Sequence, residues 1–361
     1  MRHAHMVAAA TIGLAACATI PEAGGGGENL PSAVAGPFRA LVAGEIGNLR
    51  AAPNALDNDV FARDPAVIDV DGDPSTLAVA GYFGAAVAQG GKKPVAADPT
   101  RVILRFGALD GRSFDRAAEV VLEPTEAWEG GVIGQPAALL RDGETWLYYA
   151  AAGGIGLAKS SDGHAFTRVA GPILAPAASG WEALGIPSSP GVVRLEDGSF
   201  RLFYAVTIAE DTQAIGEASS PDGVTWTRLA EGPALAPAAP LPGAEQPYDD
   251  ASVGSPFPVL AASGDGRPLL RVYYGARDRL GNAVIGLAAR YLDAPSSPLE
   301  RAAAPVFGTS KPLSPREPCV LVYPGFTWLF ATEKSASNAD HPAVAAAVAP
   351  ALADLPPPDP L

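Results

Sequence analysis

The chain has 361 residues, 48% hydrophobic and 18% charged, which excludes a disordered polymer and allows one large domain or two ordinary ones. Its formal net charge of −14 disfavours nucleic acid and anionic lipid as partners, because like charges repel. With 40 Gly and 36 Pro it is punctuated too often for long helices, so short strands and many turns are expected.

Residues 1–17 read MRHAHMVAAATIGLAAC. Arg2 supplies a positive start, and Met6 to Ala16 is an uncharged, mostly apolar stretch. A bilayer-spanning helix needs about 20 such residues, so this one suits a secretory signal instead. The ending Leu14-Ala15-Ala16-Cys17 resembles the bacterial lipobox, in which small residues precede a cysteine that becomes lipidated and N-terminal. An ordinary signal peptide whose end happens to hold a cysteine is the alternative. The lipobox reading gives a signal peptide over 1–16, a flexible Gly-rich tether over 17–32 and a folded domain over 33–361. It makes the protein a lipid-anchored component of the bacterial cell envelope. Ala18 lacks the Asp that retains some lipoproteins at the inner membrane, which favours the outer one. Cys17 aside, only Cys319 remains, inside an apolar run where it reads as a small buried residue, so no intramolecular disulfide is available.

The rest of the chain repeats at intervals of about 60 residues. Each unit opens with Pro and an apolar run that ends in a turn: Pro65, Pro136, Pro190, Pro258 and Pro318. An aromatic run follows, as in Trp146-Leu147-Tyr148-Tyr149, Phe200 to Tyr204, Arg271 to Tyr274 and Thr327 to Phe330. A third run reads Ile155-Gly-Leu-Ala158, Ile215-Gly-Glu-Ala218 and Ile285-Gly-Leu-Ala288, with Val344 to Ala347 as the last copy. Then comes Asp-Gly-x-x-aromatic-x-Arg: Asp110 to Arg116, Asp162 to Arg168 and Asp222 to Arg228, with a degenerate copy ending at Arg301. Asp-Gly suits hairpin turns, because Gly accepts positive φ and Asp bonds its own backbone. Aromatic and β-branched runs between such turns are strands, and Pro at a strand start costs no ladder bond. Five units of about four strands predict an all-β, five-bladed β-propeller of four-stranded antiparallel blades. A pair of β-sandwiches would not explain the in-register copies. The fifth unit lacks a fourth strand, and residues near Phe38 to Leu49 are expected to fill its place.

These motifs resemble the five-bladed propeller glycoside hydrolases of families 43, 32, 68 and 130. The resemblance rests on Arg63-Asp64-Pro65, on Trp128-Glu129 with Pro136 and Trp146 to Tyr149, and on Ile155 to Gly163, and it covers roughly residues 55–350. It implies a central pit where the inner strands start, a carbohydrate ligand, and two carboxyl groups that share acid and base roles in hydrolysis. Asp64 matches the general base of family 43. The slots for the other acids hold Ser189 and Ser255, while Gln135 and Glu317 occupy blades two and five. The resemblance therefore implies either a glycosidase-like protein or a non-catalytic propeller that binds glycan or protein.

Other carboxylates recur on the loops leading into the inner strands: Glu129, Glu182, Asp249 and Asp250. With Asp64 and Glu317 they are the catalytic candidates, Asp249 being also a candidate for holding sugar hydroxyls. The alternative is that they are solvated loop acids. Trp128, Trp181 and Tyr248 stand on the same loops; with Gln135 they are candidates for sugar contact, or they pack between blades. Two histidines in the mature chain and one free cysteine make no zinc pattern. No phosphate loop or serine nucleophile elbow occurs, so no cofactor is expected. The sequence does not speak to oligomeric state.

Overall fold

The computed structural model describes residues 35–41, 60–71, 78–87, 98–108, 111, 113–114, 118–241, 246–308, 314–323, 326–333 and 343–350. Cys17, the tether and the Asp110–Arg116 pair lie outside them. The described chain opens with a two-residue strand, β1 (Arg39–Ala40). Blade one follows, from β2 (Val60–Asp69) through β3 (Val79–Val87) and β4 (Val102–Ala108) to β5 (Glu119–Leu122). Blade two is β6 (Ile133–Arg141), β7 (Glu144–Ala151), β8 (Gly154–Ser160) and β9 (Thr167–Arg168). Blade three is β10 (Ser188–Arg194), β11 (Phe200–Ala209), β12 (Thr212–Ser220) and β13 (Thr227–Arg228). Blade four is β14 (Ser252–Ala262), β15 (Pro268–Arg277), β16 (Ala283–Tyr291) and β17 (Glu300–Arg301). Blade five holds β18 (Pro315–Tyr323), β19 (Phe326–Glu333) and β20 (Ala343–Ala349).

Each blade is a four-stranded antiparallel meander with its first strand innermost. The fourth strand of blade five is β1, with Arg39 opposite Val348 and Ala40 opposite Ala347. One blade therefore holds strands from both ends of the described chain, and the ring closes there. The outer strands of blades two to four are the aromatic-x-Arg copies, two residues long, which leaves little edge to pair with another chain. Blade one differs. Phe114 makes only an isolated bridge to Ala108, and the outer strand forms further on, at Glu119–Leu122.

The second strand of each blade is covered on both faces by neighbouring blades, so both faces are apolar. Leu147, Tyr148, Tyr149, Phe203, Tyr204, Tyr273, Tyr274, Leu329 and Phe330 are fully buried. The glycine of each Ile-Gly-x-Ala run has a steric cause. Gly156, Gly216 and Gly286 pair across the ladder with Tyr149, Tyr204 and Tyr274. A Cβ at any of the three would come within 2.5 Å of the partnered tyrosine ring. Only glycine lets the ring lie flat over the third strand.

The Asp-Gly turns fasten one blade to the next. Asp162 accepts backbone N–H bonds from His164 and Ala165, and these with the Ser160 hydroxyl hold its carboxyl well below the usual range. Burial is slight at Asp222, where the same contacts lower the carboxyl to about 2. The Tyr82 hydroxyl of blade one donates to the Gly163 carbonyl at 3.0 Å, and Tyr148 of blade two donates to that of Gly223 at 2.9 Å. Cys319 is a buried inner-strand residue whose thiol burial pushes up to about 12.

Candidate functional site

The five inner strands carry the same irregularity at the same place. Asp64, Gln135, Ser189, Ser255 and Glu317, each followed by Pro, have φ of 56°, 48°, 45°, 46° and 56°. Ladder register slips across each of these dipeptides, because Pro donates no N–H and the extra residue bulges out. Left-handed backbone at a non-glycine costs about 1–3 kcal/mol per residue, and such strain gathers at functional sites. All five residues and their prolines line an axial cavity of about 30 Å³, room for a water molecule or two. The hub is thus a floor and not an open channel.

Neighbouring blades are bonded through this ring. The Gln135 backbone N–H donates to Asp64 Oδ2 at 3.3 Å, and that of Ser189 donates to Gln135 Oε1 at 3.0 Å. Asp64 N–H donates to the Thr332 hydroxyl of blade five at 3.0 Å. Asp64 is 5% exposed. Burial, then the charge and hydrogen bond of Glu317, push its carboxyl well above the ordinary range. Glu317 Oε2 is buried with no hydrogen-bond partner among the described residues. A protonated Asp64 can supply a donor to that oxygen, so the two carboxyl groups are placed to share a proton.

Two clefts open from this floor, and both border Gln135 and Glu317. The first, of about 410 Å³, lies over blades three to five and includes Ser189, Asp211, Gln213, Ser255, Arg277 and Arg316. The second, of about 380 Å³, lies over blades one to three and includes Arg63, Asp64, Thr100, Val132, Ala151 and Ile186. Together they make a pit on the face where the inner strands start, with the larger cleft more polar and the smaller one more apolar.

Of the sequence-derived candidates, Asp64, Gln135 and Glu317 meet at this hub. The other acids line neither this hub nor the two clefts. Glu129 is fully buried and accepts from the Tyr149 hydroxyl at 2.8 Å, Arg168 Nε at 2.9 Å and the backbone N–H groups of Thr125 and Glu126. Burial raises its carboxyl, but these donors outweigh it and hold the carboxyl below the usual range. Glu182 accepts from Tyr204 at 2.6 Å and Arg228 at 2.7 Å. Asp249 accepts from Tyr274 and Arg301, both at 2.9 Å. Each arginine also donates to the carbonyl just before a loop proline, at Glu123, Ala175 or Ala236. These acids are buried, not solvated. They are the centres of three equivalent clamps joining the loop, the second strand and the outer strand of a blade. Asp250 is buried and holds Arg279, through its backbone N–H at 3.0 Å and its Nε at 3.2 Å.

The aromatic candidates pack on the same clamps. Trp128 stacks on Tyr149 with ring centroids 6.0 Å apart. Trp181 packs in the cluster containing Tyr204, and Tyr248 bonds the Tyr274 hydroxyl at 3.0 Å. None of the three lines either cleft. The pit residues that sequence reasoning passed over are Arg63, Asp211, Gln213, Arg277 and Arg316. One signal for them was present: Arg63-Asp64-Pro65 and Arg316-Glu317-Pro318 are copies of a single Arg-acid-Pro motif.

No family model and no curated relative matches the chain. Solved structures do match in fold. A thermostable family-43 glycoside hydrolase aligns with TM-score 0.57 and 14% identity, covering 84% of this chain and 97% of its own. An endo-arabinase from Bacteroides thetaiotaomicron aligns with TM-score 0.55 and 14% identity, covering 84% and 96%. An exo-1,5-alpha-L-arabinanase from a bovine ruminal metagenomic library aligns with TM-score 0.52 and 14% identity, covering 81% and 94%. The chain is a five-bladed β-propeller whose fold is similar to that of these glycoside hydrolase structures.

Proposed function

We propose that the pit binds carbohydrate and does not cleave it. The observation that carries this reading is that Asp64 and Glu317 line one cavity of about 30 Å³, with the charge of Glu317 raising the Asp64 carboxyl. Hydrolysis needs an acid and a second carboxylate about 5–10 Å apart, with the anomeric carbon and often a water between them. A shared cavity with room for a water molecule or two does not admit a sugar ring between the two carboxyl groups. The blade-three and blade-four positions of the ring are Ser189 and Ser255, whose hydroxyls do not titrate at neutral pH. The same ring supplies what sugar hydroxyls need: carboxyl and amide oxygens, serine hydroxyls, and a carboxyl proton. Val132, Ala151 and Ile186 offer an apolar wall for the C–H face of a ring.

Calorimetric titration with plant and bacterial oligosaccharides, paired with an assay for new reducing ends, tests the reading. Saturable binding without new ends is the expected result. Release of new ends that Asp64→Asn abolishes would restore a hydrolase, and no binding across the panel would remove carbohydrate altogether.

We further propose that lipid on Cys17 holds the propeller at the outer membrane of a bacterial envelope, on the strength of the lipobox-like run. Cys17→Ser should leave the protein uncleaved or soluble when membranes are sedimented. Membrane attachment of a processed Cys17→Ser chain would refute the anchor.

A further inference from the structure

In a chain of net charge −14, the pit gathers three arginines: Arg63, Arg277 and Arg316. Facing them are Asp211 and the Asp64–Glu317 pair. Arg63 donates Nη2 to the Asp98 carbonyl at 2.8 Å, and Arg277 donates Nη2 to the Asp211 carbonyl. Both are fixed at the pit wall by these bonds. Arg316 is exposed, lines the larger cleft and makes no hydrogen bond or ion pair among the described residues. Four arginines elsewhere are each matched to an acid: Arg168 to Glu129, Arg228 to Glu182, Arg301 to Asp249 and Arg290 to Glu217.

We infer that the pit selects an acidic saccharide, a uronate-bearing glycan whose carboxylate is held by Arg316 with Arg277 beside it. This rests on the carbohydrate reading above and names its chemical class. A planar guanidinium meets a carboxylate through two parallel N–H bonds, a match that a neutral hydroxymethyl group lacks. The surrounding negative field slows the approach of such a ligand, so selectivity is a property of the pit and not of the whole surface. Gln135, Gln213, Ser189 and Ser255 remain for the hydroxyls of the same sugar.

The test titrates the full chain with α-1,4-linked trigalacturonate and with its carboxyl-reduced counterpart. The acid should bind about tenfold more tightly than the neutral sugar, the worth of one charge-assisted pair. Arg316→Gln should erase that ratio, and Arg316→Lys should restore part of it. Affinity for the acid should also fall as salt rises from 0.05 to 0.5 M, conditions that screen charges on the scale of the pit. Equal affinity for both sugars, or a ratio unmoved by Arg316→Gln in a variant with unchanged thermal unfolding, overturns the acidic class and leaves carbohydrate binding standing. Binding of neither sugar, nor of any in the wider panel, overturns both.

Discussion

Asp64→Asn should raise the thermal unfolding midpoint at pH 8 by a few degrees and leave it nearly unchanged at pH 4. The native carboxyl titrates well above its ordinary range, because burial and Glu317 both disfavour its ionised form. The unfolded group titrates near pH 3.9. Between those two values the native state holds a proton that the unfolded state has released, so stability falls as pH rises through the window. Below it both states are protonated and the stability is fully present. Asparagine keeps the shape, accepts the Gln135 N–H and donates an amide N–H to Glu317 at every pH. The relief is the repulsion of two neighbouring carboxylates, about 1–4 kcal/mol, and in a chain this long each kcal/mol moves the midpoint by about 2–4 °C. Scanning calorimetry of both proteins from pH 4 to 8 measures it. Parallel curves across that range would mean that no proton is shared at the hub.

The clamps predict the larger losses. Glu182→Ala should cost about 3–5 kcal/mol, the usual result of removing one partner of a buried ion pair. It strands the Arg228 guanidinium and the Tyr204 hydroxyl together. Glu129→Ala should cost as much, since four donors lose one acceptor group. Tyr204→Phe removes a single bond and should cost about 1–3 kcal/mol. The control is Asp142→Ala. Its side chain is 70% exposed in its ion pair with Arg194, and an exposed pair is worth about 0–1 kcal/mol. Urea unfolding ranks the set. A Glu182→Ala protein as stable as Asp142→Ala would show that the clamp carries no stability.

The architecture was legible in the sequence because each blade spells its strands with residues that local sterics demand. Asp-Gly makes the turn, Ile-Gly-x-Ala admits the tyrosine ring, and the Arg at the blade's edge marks the outer strand. Blade one broke the pattern because its outer strand starts after the Asp-Gly copy. The site was legible only in part. Trp128-Glu129 and Trp181-Glu182 look like sugar platforms when read alone. Their partners sit in register on other strands, Tyr149 with Arg168 and Tyr204 with Arg228, so the acid–tyrosine–arginine set becomes visible only once three strands are aligned. The hub was harder still. Ser189 and Ser255 read as vacant acid positions, whereas their positive φ makes them members of a five-fold ring. No side-chain pattern announces a left-handed backbone at Ser, Gln or Glu.

The seam formed by β1 and β20 has a mechanical consequence. A pull along the leading end of the polypeptide loads two residue pairs, Arg39 with Val348 and Ala40 with Ala347, and the bonds of Phe38 to Val306, Leu41 to Ala346 and Ala35 to Tyr273. Peeling so short a zipper takes little force beside shearing a whole meander. Traction from that side would unclasp the circle at one joint and leave the other four modules folded, a built-in point of first failure.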